Sequence, residues 1–240
     1  MPDFTNRSYK KELLDRDDIP FDDIKQNMKE LDFINTRLGG HKITIDGLKF
    51  LLKAATKNNH NPISICEIGC GGGDNLRVIK KWCANKNIAA TFIGIDINPH
   101  CIAFAKSKTE NKEILFLCSD YKAAAFKQQP HIIFSSLFCH HFTGEGMVEM
   151  LQWCTKNAST GFFINDLHRH PLAYYFIKWL TRLFSKSYLV KNDAPLSVLR
   201  GFSKNELGAL LKSAGIINFK ISWQWAFRWL VCVRNIKNKN

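Results

Sequence analysis

The chain has 240 residues, 45% of them hydrophobic and 23% charged, so it can bury one sizeable core. No apolar run reaches the ~18 residues of a membrane-spanning helix. The first residues lack the apolar core of a secretion signal, and none of the eight cysteines is spaced C-x-x-C, as in many zinc sites. These features predict a cytoplasmic protein with reduced cysteines, while the formal net charge of +13 leaves nucleic acid, an anionic membrane and an acidic substrate open as partners.

Two helices are predicted ahead of the first strand. Residues 1–20 are polar and are expected to be partly mobile. From Phe21 onwards, apolar residues recur at helical spacing until Gly39 and Gly40 supply a stop. The stretch at 43–56 predicts a second helix.

A strand, a glycine-rich turn and a helix follow in direct succession. The β-prone run at 63–68 predicts a buried central strand, which ends beside Glu67. The dinucleotide fingerprint G-x-G-x-x-G needs a further glycine where Asp74 stands, whether counted from Gly69 or Gly71. At the helix N-terminus, Asp74 would also repel a pyrophosphate. An acid on each side of the turn suits a cationic ligand without phosphate, such as S-adenosylmethionine; the alternative is a glycine-rich surface turn.

Two more apolar runs end in acids. The run at 92–95 ends in Asp96, and a carboxylate about 20 residues past such glycines typically binds a ribose diol. A third run, ILFLCSD, ends in Asp120. In this order the motifs resemble motif I, E/D-x-G-x-G-x-G, and the following motifs of the class I S-adenosylmethionine-dependent methyltransferases.

The resemblance implies S-adenosylmethionine as cofactor, S-adenosylhomocysteine (SAH) as its product, and no metal. It also implies an apolar contact of Ile97 with the adenine and a hydrogen bond from the adenine amine to Asp120. The predicted cofactor-binding residues are Glu67, Gly69, Gly71, Gly73, Asp74, Asp96, Ile97, Asp120, Tyr121 and Ser136.

Strands and helices alternate from residue 62 onwards, which predicts an α/β fold with a Rossmann-like, doubly wound sheet. The resemblance implies seven strands, mostly parallel, with an antiparallel last strand inserted between the fifth and the sixth. It also divides the chain into an N-terminal helical cap, 1–60, and a methyltransferase domain, 61–240, with 167–200 inserted after the fifth strand as a substrate lid. The predicted strands are 63–68, 91–96, 114–118, 131–136 and 161–165, with two more around Ala226; the predicted helices are 74–85, 99–107, 145–157 and 203–214.

Histidines follow the fourth and fifth strands. Ligands of open α/β sheets bind beyond the carboxyl ends of the strands, so His140, His141 and His168 are candidate catalytic bases, ranked His141, His168, His140. Asp166 is a candidate to orient the base. The alternative is that these histidines only bond loop backbone. An amino-methylating DNA enzyme would carry N/D-P-P-Y/F where this chain has SSLF, which argues against nucleic acid as a partner.

The insertion contains an aromatic, basic stretch at 171–184. Such a helix suits a membrane interface, a lid over an apolar substrate, or a buried core position. The segment resembles a bacterial subgroup of small-molecule methyltransferases associated with type III polyketide synthases and with flexirubin-type or phenolic-lipid pathways. The predicted substrate-contacting residues are Tyr174, Tyr175, Trp179 and Arg200.

The function implied is methyl transfer to a small aromatic or lipid-like acceptor, phenolic or quinone-like, at oxygen. Two alternatives stay open: methylation at carbon of a quinol or phenol ring, and a non-catalytic S-adenosylmethionine-binding module at a membrane. The basic, aromatic surface would permit peripheral contact with the inner face of the membrane.

Overall fold

Seven strands form one sheet at the centre of the computed structural model, which describes residues 2–16, 18–55 and 62–235. The strands are β1 (Ile63–Ile68), β2 (Ala90–Asp96), β3 (Ile114–Cys118), β4 (Ile132–Ser136), β5 (Gly161–Leu167), β6 (Phe219–Gln224) and β7 (Arg228–Arg234). Their order is β3-β2-β1-β4-β5-β7-β6, and β7 runs antiparallel to both of its neighbours. The predicted Rossmann-like, mostly parallel sheet with an antiparallel last strand is therefore confirmed.

The crevice that positions the site lies between β1 and β4. β1 pairs in parallel with β2 on one side and with β4 on the other. The chain runs outwards from β1 to β3 and then returns to β4, so the direction of the strand order reverses at this point. Open α/β sheets bind ligands beyond the carboxyl ends of the strands at such a reversal.

Eight helices flank the sheet in the described residues. They are α1 (Phe21–Arg37), α2 (Gly40–Ala55), α3 (Asp74–Asn85), α4 (Pro99–Ser107), α5 (Gly144–Asn157), α6 (Pro171–Phe184), α7 (Tyr188–Arg200) and α8 (Lys204–Ser213). α2 begins three residues before its predicted start, because the amide of Ile43 already donates to the carbonyl of Gly39, 3.2 Å away. Position 56, at its predicted end, lies outside the described residues. None of these helices is both long and apolar enough to cross a membrane.

Both faces of the sheet are covered, because its central strands carry apolar side chains on both sides. On one face Phe163 of β5 belongs to the same buried cluster as Leu48 of α2. On the other face Phe162 packs in a cluster with Met150 of α5 and Leu211 of α8. α2 therefore contributes to the core of the sheet, and the division of the chain at residue 60 stays a prediction.

The N-terminal segment forms hydrogen bonds with the insertion. The amide of Ser8 donates to the carbonyl of Leu199 at 3.0 Å. The amides of Leu13 and Leu14 donate to the carboxylate of Asp193 at 2.8 and 3.0 Å. These contacts attach part of the segment to the insertion, while the expectation that residues 1–20 are partly mobile stays a prediction.

Candidate active site

The glycine-rich turn after β1 has the backbone geometry of a ligand cradle. Gly69 and Gly71 have φ angles of 68° and 49°, in the left-handed region that favours glycine. A Cβ at Gly69 would lie 2.3 Å from the ring of Phe138, so a larger residue does not fit there. The amide of Gly71 donates to Oδ2 of Asp96 at 2.8 Å, which joins the turn to the end of β2.

Glu67 lies beneath this turn with one carboxylate oxygen free. The residue is 1% exposed, and Asn75 Nδ2 donates to its Oε1 at 3.0 Å. Its Oε2 is buried without a hydrogen-bond partner. Burial, followed by the charge of Asp74, raises the pKa of Glu67 well above its usual range. A buried acceptor of this kind suits a ligand that brings an ammonium or N–H donor.

Asp96 and Ile97, the predicted ribose and adenine contacts, lie at the end of β2. Each oxygen of Asp96 accepts one backbone N–H, from Gly71 at 2.8 Å and from Asn98 at 2.9 Å. A carboxylate oxygen has a second lone pair, so the group can still accept from two hydroxyls. Burial raises the pKa of Asp96, against these two N–H donors and the charge of His141. Ile97 is 67% exposed, available as an apolar wall.

The other predicted cofactor residues differ in how they are placed. Asp120 is exposed and caps the turn after β3 by accepting from the amide of Lys122. Tyr121 is buried under α5, with Trp153 edge-on to its ring at 5.2 Å, so its predicted cofactor contact finds no support in the packing.

Ser136 Oγ accepts from Asn165 Nδ2 at 3.2 Å. Gly73 has a φ of 72° and precedes α3, which Asp74 opens as predicted.

His140 and His141 follow β4 and meet two acids from the N-terminal segment. His140 is 3% exposed; its Nδ1 lies 2.7 Å from Oδ1 of Asp166 and its Nε2 3.5 Å from Oε1 of Glu12. His141 Nε2 lies 3.7 Å from the other oxygen of Glu12, and its Nδ1 3.3 Å from Asp15. Each imidazole is thus held between two carboxylates.

The charges of this network reinforce one another. Burial lowers the pKa of His140, but the carboxylates of Asp166 and Glu12 outweigh it and raise that pKa to about 9. Burial opposes ionisation of the acids, yet the histidines hold the pKa of Glu12 and Asp166 below the usual range and lower that of Asp15 to about 2. His140 is therefore a cation at neutral pH.

A cavity of about 160 Å³ opens beside the two histidines. Its walls come from α1, from the turn after β4, from α6 and α7, and from the β6–β7 hairpin. Apolar side chains make up most of the lining, among them Leu31, Ile34, Leu137, Leu167, Phe176 and Ile177. The polar lining residues are Glu12, Asn27, His140, His141, Asp193, Ser197 and Arg228.

A larger depression of about 410 Å³ lies at the opposite edge of the sheet, near Gln129, Ile217 and Arg234. Its lining contains no histidine and no carboxylate. The smaller cavity, whose wall contains both histidines that follow β4, is therefore the candidate acceptor site.

His168, Arg200 and the aromatic residues of α6 do not contact the cavity in the way that the sequence predicts. His168 does not line the cavity: its ring lies 4.7 Å from that of Trp229, and its Nδ1 is buried without a partner. β-strand alternation explains this, since Leu167 faces the cavity and its neighbour faces away. Arg200 donates to the carbonyls of His140 and His141, so it fixes the turn instead of contacting a substrate.

The aromatic residues predicted on α6 also lie away from the cavity wall. Tyr175 and Trp179 are 43% and 61% exposed, and Tyr174 lies edge-on to Phe4. The α6 residues on the cavity wall are instead Ala173, Phe176 and Ile177. Glu12, Asp15 and Arg228 were not predicted at all. No local pattern could have shown them, because they reach the site only through the tertiary fold.

Two groups in the described chain are compatible with a divalent cation: Glu12 with His140 and His141, and Asp32 with His41 and Asp74, each with ligand atoms within 4.8 Å of one another. In both, histidine–carboxylate pairing already accounts for the contacts. The absence of a metal stays a prediction.

The sequence and the structure of the chain are both similar to those of known methyltransferases. Residues 65–161 match the family model described as a methyltransferase domain. No curated protein sequence matches at a significant level.

Many solved structures share the fold. The plantazolicin methyltransferase BpumL in complex with SAH has a TM-score of 0.63 at 18% identity, covering 89% of this chain and 96% of that one. Magnesium protoporphyrin IX methyltransferase from Synechocystis PCC 6803 has a TM-score of 0.54 at 12% identity, covering 84% and 82%. Human N-acetylserotonin methyltransferase has a TM-score of 0.62 at 16% identity, covering 91% of this chain and 57% of that one.

At such identities the structural likeness shows the fold, and the methyltransferase-domain model covers residues 65–161, less than half of the chain. Together with the glycine turn and the acids at the ends of β1 and β2, these findings support an S-adenosylmethionine-dependent methyltransferase.

Proposed function

We propose that the protein transfers a methyl group from S-adenosylmethionine to a hydroxyl group of a small, largely apolar aromatic acceptor. The observation that carries this proposal is the cavity, whose wall contains His140 and His141 directly after β4. Cavities of about 150 Å³ with apolar walls accommodate a benzene ring, so one ring fits the space of about 160 Å³ found here.

The cofactor would be held by the turn that includes Gly69 and Gly71, with Asp96 for the ribose and Ile97 against the adenine. The unpartnered Oε2 of Glu67 suits the ammonium group of S-adenosylmethionine. Bound SAH in the plantazolicin enzyme supports this choice of cofactor. When bound, it supplies an electrophilic methyl group, and transfer chiefly requires alignment with the acceptor.

The two histidines would have different roles. A phenol titrates near ~10, so the acceptor must lose a proton to become the better nucleophile. His140 is unsuited to take it, because its raised pKa of about 9 keeps it protonated at neutral pH. His141 lines the same cavity, is partly exposed, and has its Nδ1 near Asp15. We therefore assign His141 as the general base and His140 as a fixed positive charge.

The choice of acceptor class rests on the sequence resemblance and the cavity, not on the fold. The resemblance to the phenolic-lipid and flexirubin-type subgroup favours a phenolic or quinone-like ring. The neighbours include enzymes named for plantazolicin, a magnesium porphyrin and N-acetylserotonin, so the fold alone does not select the acceptor. Methylation at a ring carbon is the competing reaction.

The test is transfer of a labelled methyl group to a panel of phenols, with pH–rate profiles at saturating cofactor. His141→Gln should lose roughly 10²–10⁴ in rate near neutral pH and recover part of it where the phenol ionises unaided. His168→Gln is the matched control and should retain near wild-type rates. Label found on carbon would favour the competing reaction, and cofactor binding without any transfer would indicate a non-catalytic module.

We also propose that α6 contacts an anionic membrane. Its outer side carries an apolar stripe, spaced as on one face of a helix and at least 43% exposed at each position: Leu172, Tyr175, Trp179 and Leu183. Exposed basic residues accompany it at Lys178, Arg182 and Lys186. An outward apolar face with basic flanks is typical of interfacial helices, and the net charge of +13 is complementary to anionic lipid.

Vesicle co-sedimentation tests this second proposal. The protein should bind vesicles that contain phosphatidylglycerol and remain free with pure phosphatidylcholine. Trp179→Glu should abolish the binding. Ile217→Glu, at a residue that is 82% exposed on the far edge of the sheet, is the control and should not change it. Concentration-dependent dimerisation that Trp179→Glu removes, without lipid binding, would identify a second copy as the occupant instead.

A further inference from the structure

Arg228 is a buried cation on the cavity wall with an unmet hydrogen-bond donor. It opens β7 opposite Leu167 and is 3% exposed. Its Nη2 donates to Oδ1 of Asn35 at 2.9 Å, while its Nη1 is buried without a partner. Gly40 makes room for the guanidinium group, because a Cβ there would lie 2.6 Å from Nη1.

Two other buried arginines of this protein have all three guanidinium nitrogens hydrogen-bonded. Arg169 donates from Nε and both terminal nitrogens to backbone carbonyls and to the carboxylate of Glu206. Arg200 likewise donates from all three nitrogens. Arg228 differs, because the charges of Asp166 and Asp74 act on it without a direct ion pair in the described chain. A buried charge without a directly paired counter-charge is unfavourable, so the free Nη1 suits an anion from outside the chain.

The cavity also holds a second unmet donor. Asn27 of α1 is 2% exposed, lines the cavity, and has its Nδ2 buried without a partner. The carboxylates on the wall already have hydrogen-bond donors. Glu12 accepts from the hydroxyl of Ser197, and Asp193 accepts from two backbone amides. Among the described lining residues, the buried side-chain atoms without a partner are therefore both donors, and a complementary ligand must bring acceptor oxygens.

We propose that Arg228, with Asn27, binds a carboxylate group of a ligand in this cavity. The inference rests on the proposed function, since it takes the cavity as the place where acceptor and cofactor meet. Either the acceptor or the methionyl end of the cofactor can supply the carboxylate. In the first case the acceptor is an aromatic hydroxy acid, with its carboxylate on Arg228 and its hydroxyl group near His141.

Calorimetry on the full chain separates these sources. The acceptor arm compares 4-hydroxybenzoic acid with 4-hydroxybenzamide, with and without SAH. The cofactor arm compares SAH with 5′-methylthioadenosine, which lacks the amino-acid end. The variants are Arg228→Gln, which removes the charge, and Arg228→Lys, which keeps it. A hydrogen bond between charged groups is typically worth 1.5–3 kcal/mol, so Arg228→Gln should weaken binding of the carboxylate-bearing ligand at least roughly tenfold, with a smaller loss for Arg228→Lys.

If Arg228→Gln loses affinity only for 4-hydroxybenzoic acid, the acceptor is the source of the carboxylate. If it loses affinity for SAH but not for methylthioadenosine, the cofactor is the source. Both outcomes support the carboxylate site. Equal affinities of wild type and Arg228→Gln for the acid and for SAH would overturn it. Thermal unfolding is the control for folding: the melting temperature should fall less for Arg228→Gln, which loses the bond to Asn35, than for Arg169→Gln, which loses four bonds. A wild type that binds no SAH at all would contradict the proposed function, and the acceptor arm measured without SAH would still decide this inference.

Discussion

Asp96 is the residue on which the cofactor assignment can be tested most directly. Its carboxylate joins the glycine turn to the end of β2 through the amide of Gly71, and its remaining lone pairs suit two hydroxyl donors. We expect Asp96→Ala to weaken binding of SAH at least roughly tenfold, because a hydrogen bond to a charged group typically contributes ~1.5–3 kcal/mol. Isothermal titration calorimetry measures this change.

Glu113 provides a matched control. It is an exposed acid just before β3, at the end of the strand away from the site, and it pairs with Lys80 at 2.8 Å. Glu113→Ala should bind SAH as the wild type does. Unchanged affinity in Asp96→Ala would remove Asp96 from the cofactor site.

The sequence predicts the ends of the strands best, because their position follows from local structure. Glu67, Gly71 and Asp96 stand at strand ends, and parallel strands bring those ends to one edge of the sheet. The direction of a side chain is harder to predict, because a shift of one residue along a strand reverses its face. His168 illustrates this, since Leu167 occupies the cavity wall in its place.

At the level of elements, α6 is predicted to control use of the acceptor through its inner side. Phe176 and Ile177 line the cavity, whereas Trp179 on the same helix does not. Ile177→Ala should raise the KM for the acceptor several-fold, since it removes apolar contact area worth ~25 cal/mol per Å². The Kd for SAH should stay near the wild-type value. Steady-state kinetics together with calorimetry distinguish the two effects.

Trp179→Ala is the control on the same helix and should leave the KM for a water-soluble acceptor unchanged. If Ile177→Ala weakens SAH binding in parallel with acceptor use, α6 acts as part of the structural core and not as a lid.

The element that sequence patterns did not predict is α7. Pro195 lies inside it and lacks the N–H that the helix would use, and Asn192 and Asp193 are poor helix formers. Tertiary contacts override these preferences. Asp193 accepts from the amides of Leu13 and Leu14, and Ser187 caps the helix by accepting from the amide of Val190. The N-terminal segment is ordered by the same contacts, which no pattern in its own polar sequence could indicate.

For the whole molecule, the ion network around His140 joins parts of the chain that are far apart in sequence. Glu12 comes from the N-terminal segment, His140 from the turn after β4, and Asp166 from β5. Arg200 at the end of α7 closes the group by donating to the carbonyl of His140 at 3.2 Å. Protonation of one buried imidazole is thereby coupled to the folding of the entire chain.

The sign of this coupling gives the last prediction. Because the pKa of His140 rises from 6.5 to about 9 on folding, the folded chain holds a proton that the unfolded chain releases between these values. The stabilisation is fully present below pH 6.5 and is lost as the pH rises through 9. The free energy of unfolding, measured by urea denaturation, should fall between pH 6 and pH 10 by on the order of 1–3 kcal/mol more in the wild type than in His140→Gln. His100→Gln, on the exposed start of α4, should follow the wild type. Parallel curves for wild type and His140→Gln would show that folding does not raise the pKa of His140, and its role as a fixed positive charge in the cavity would have to be abandoned.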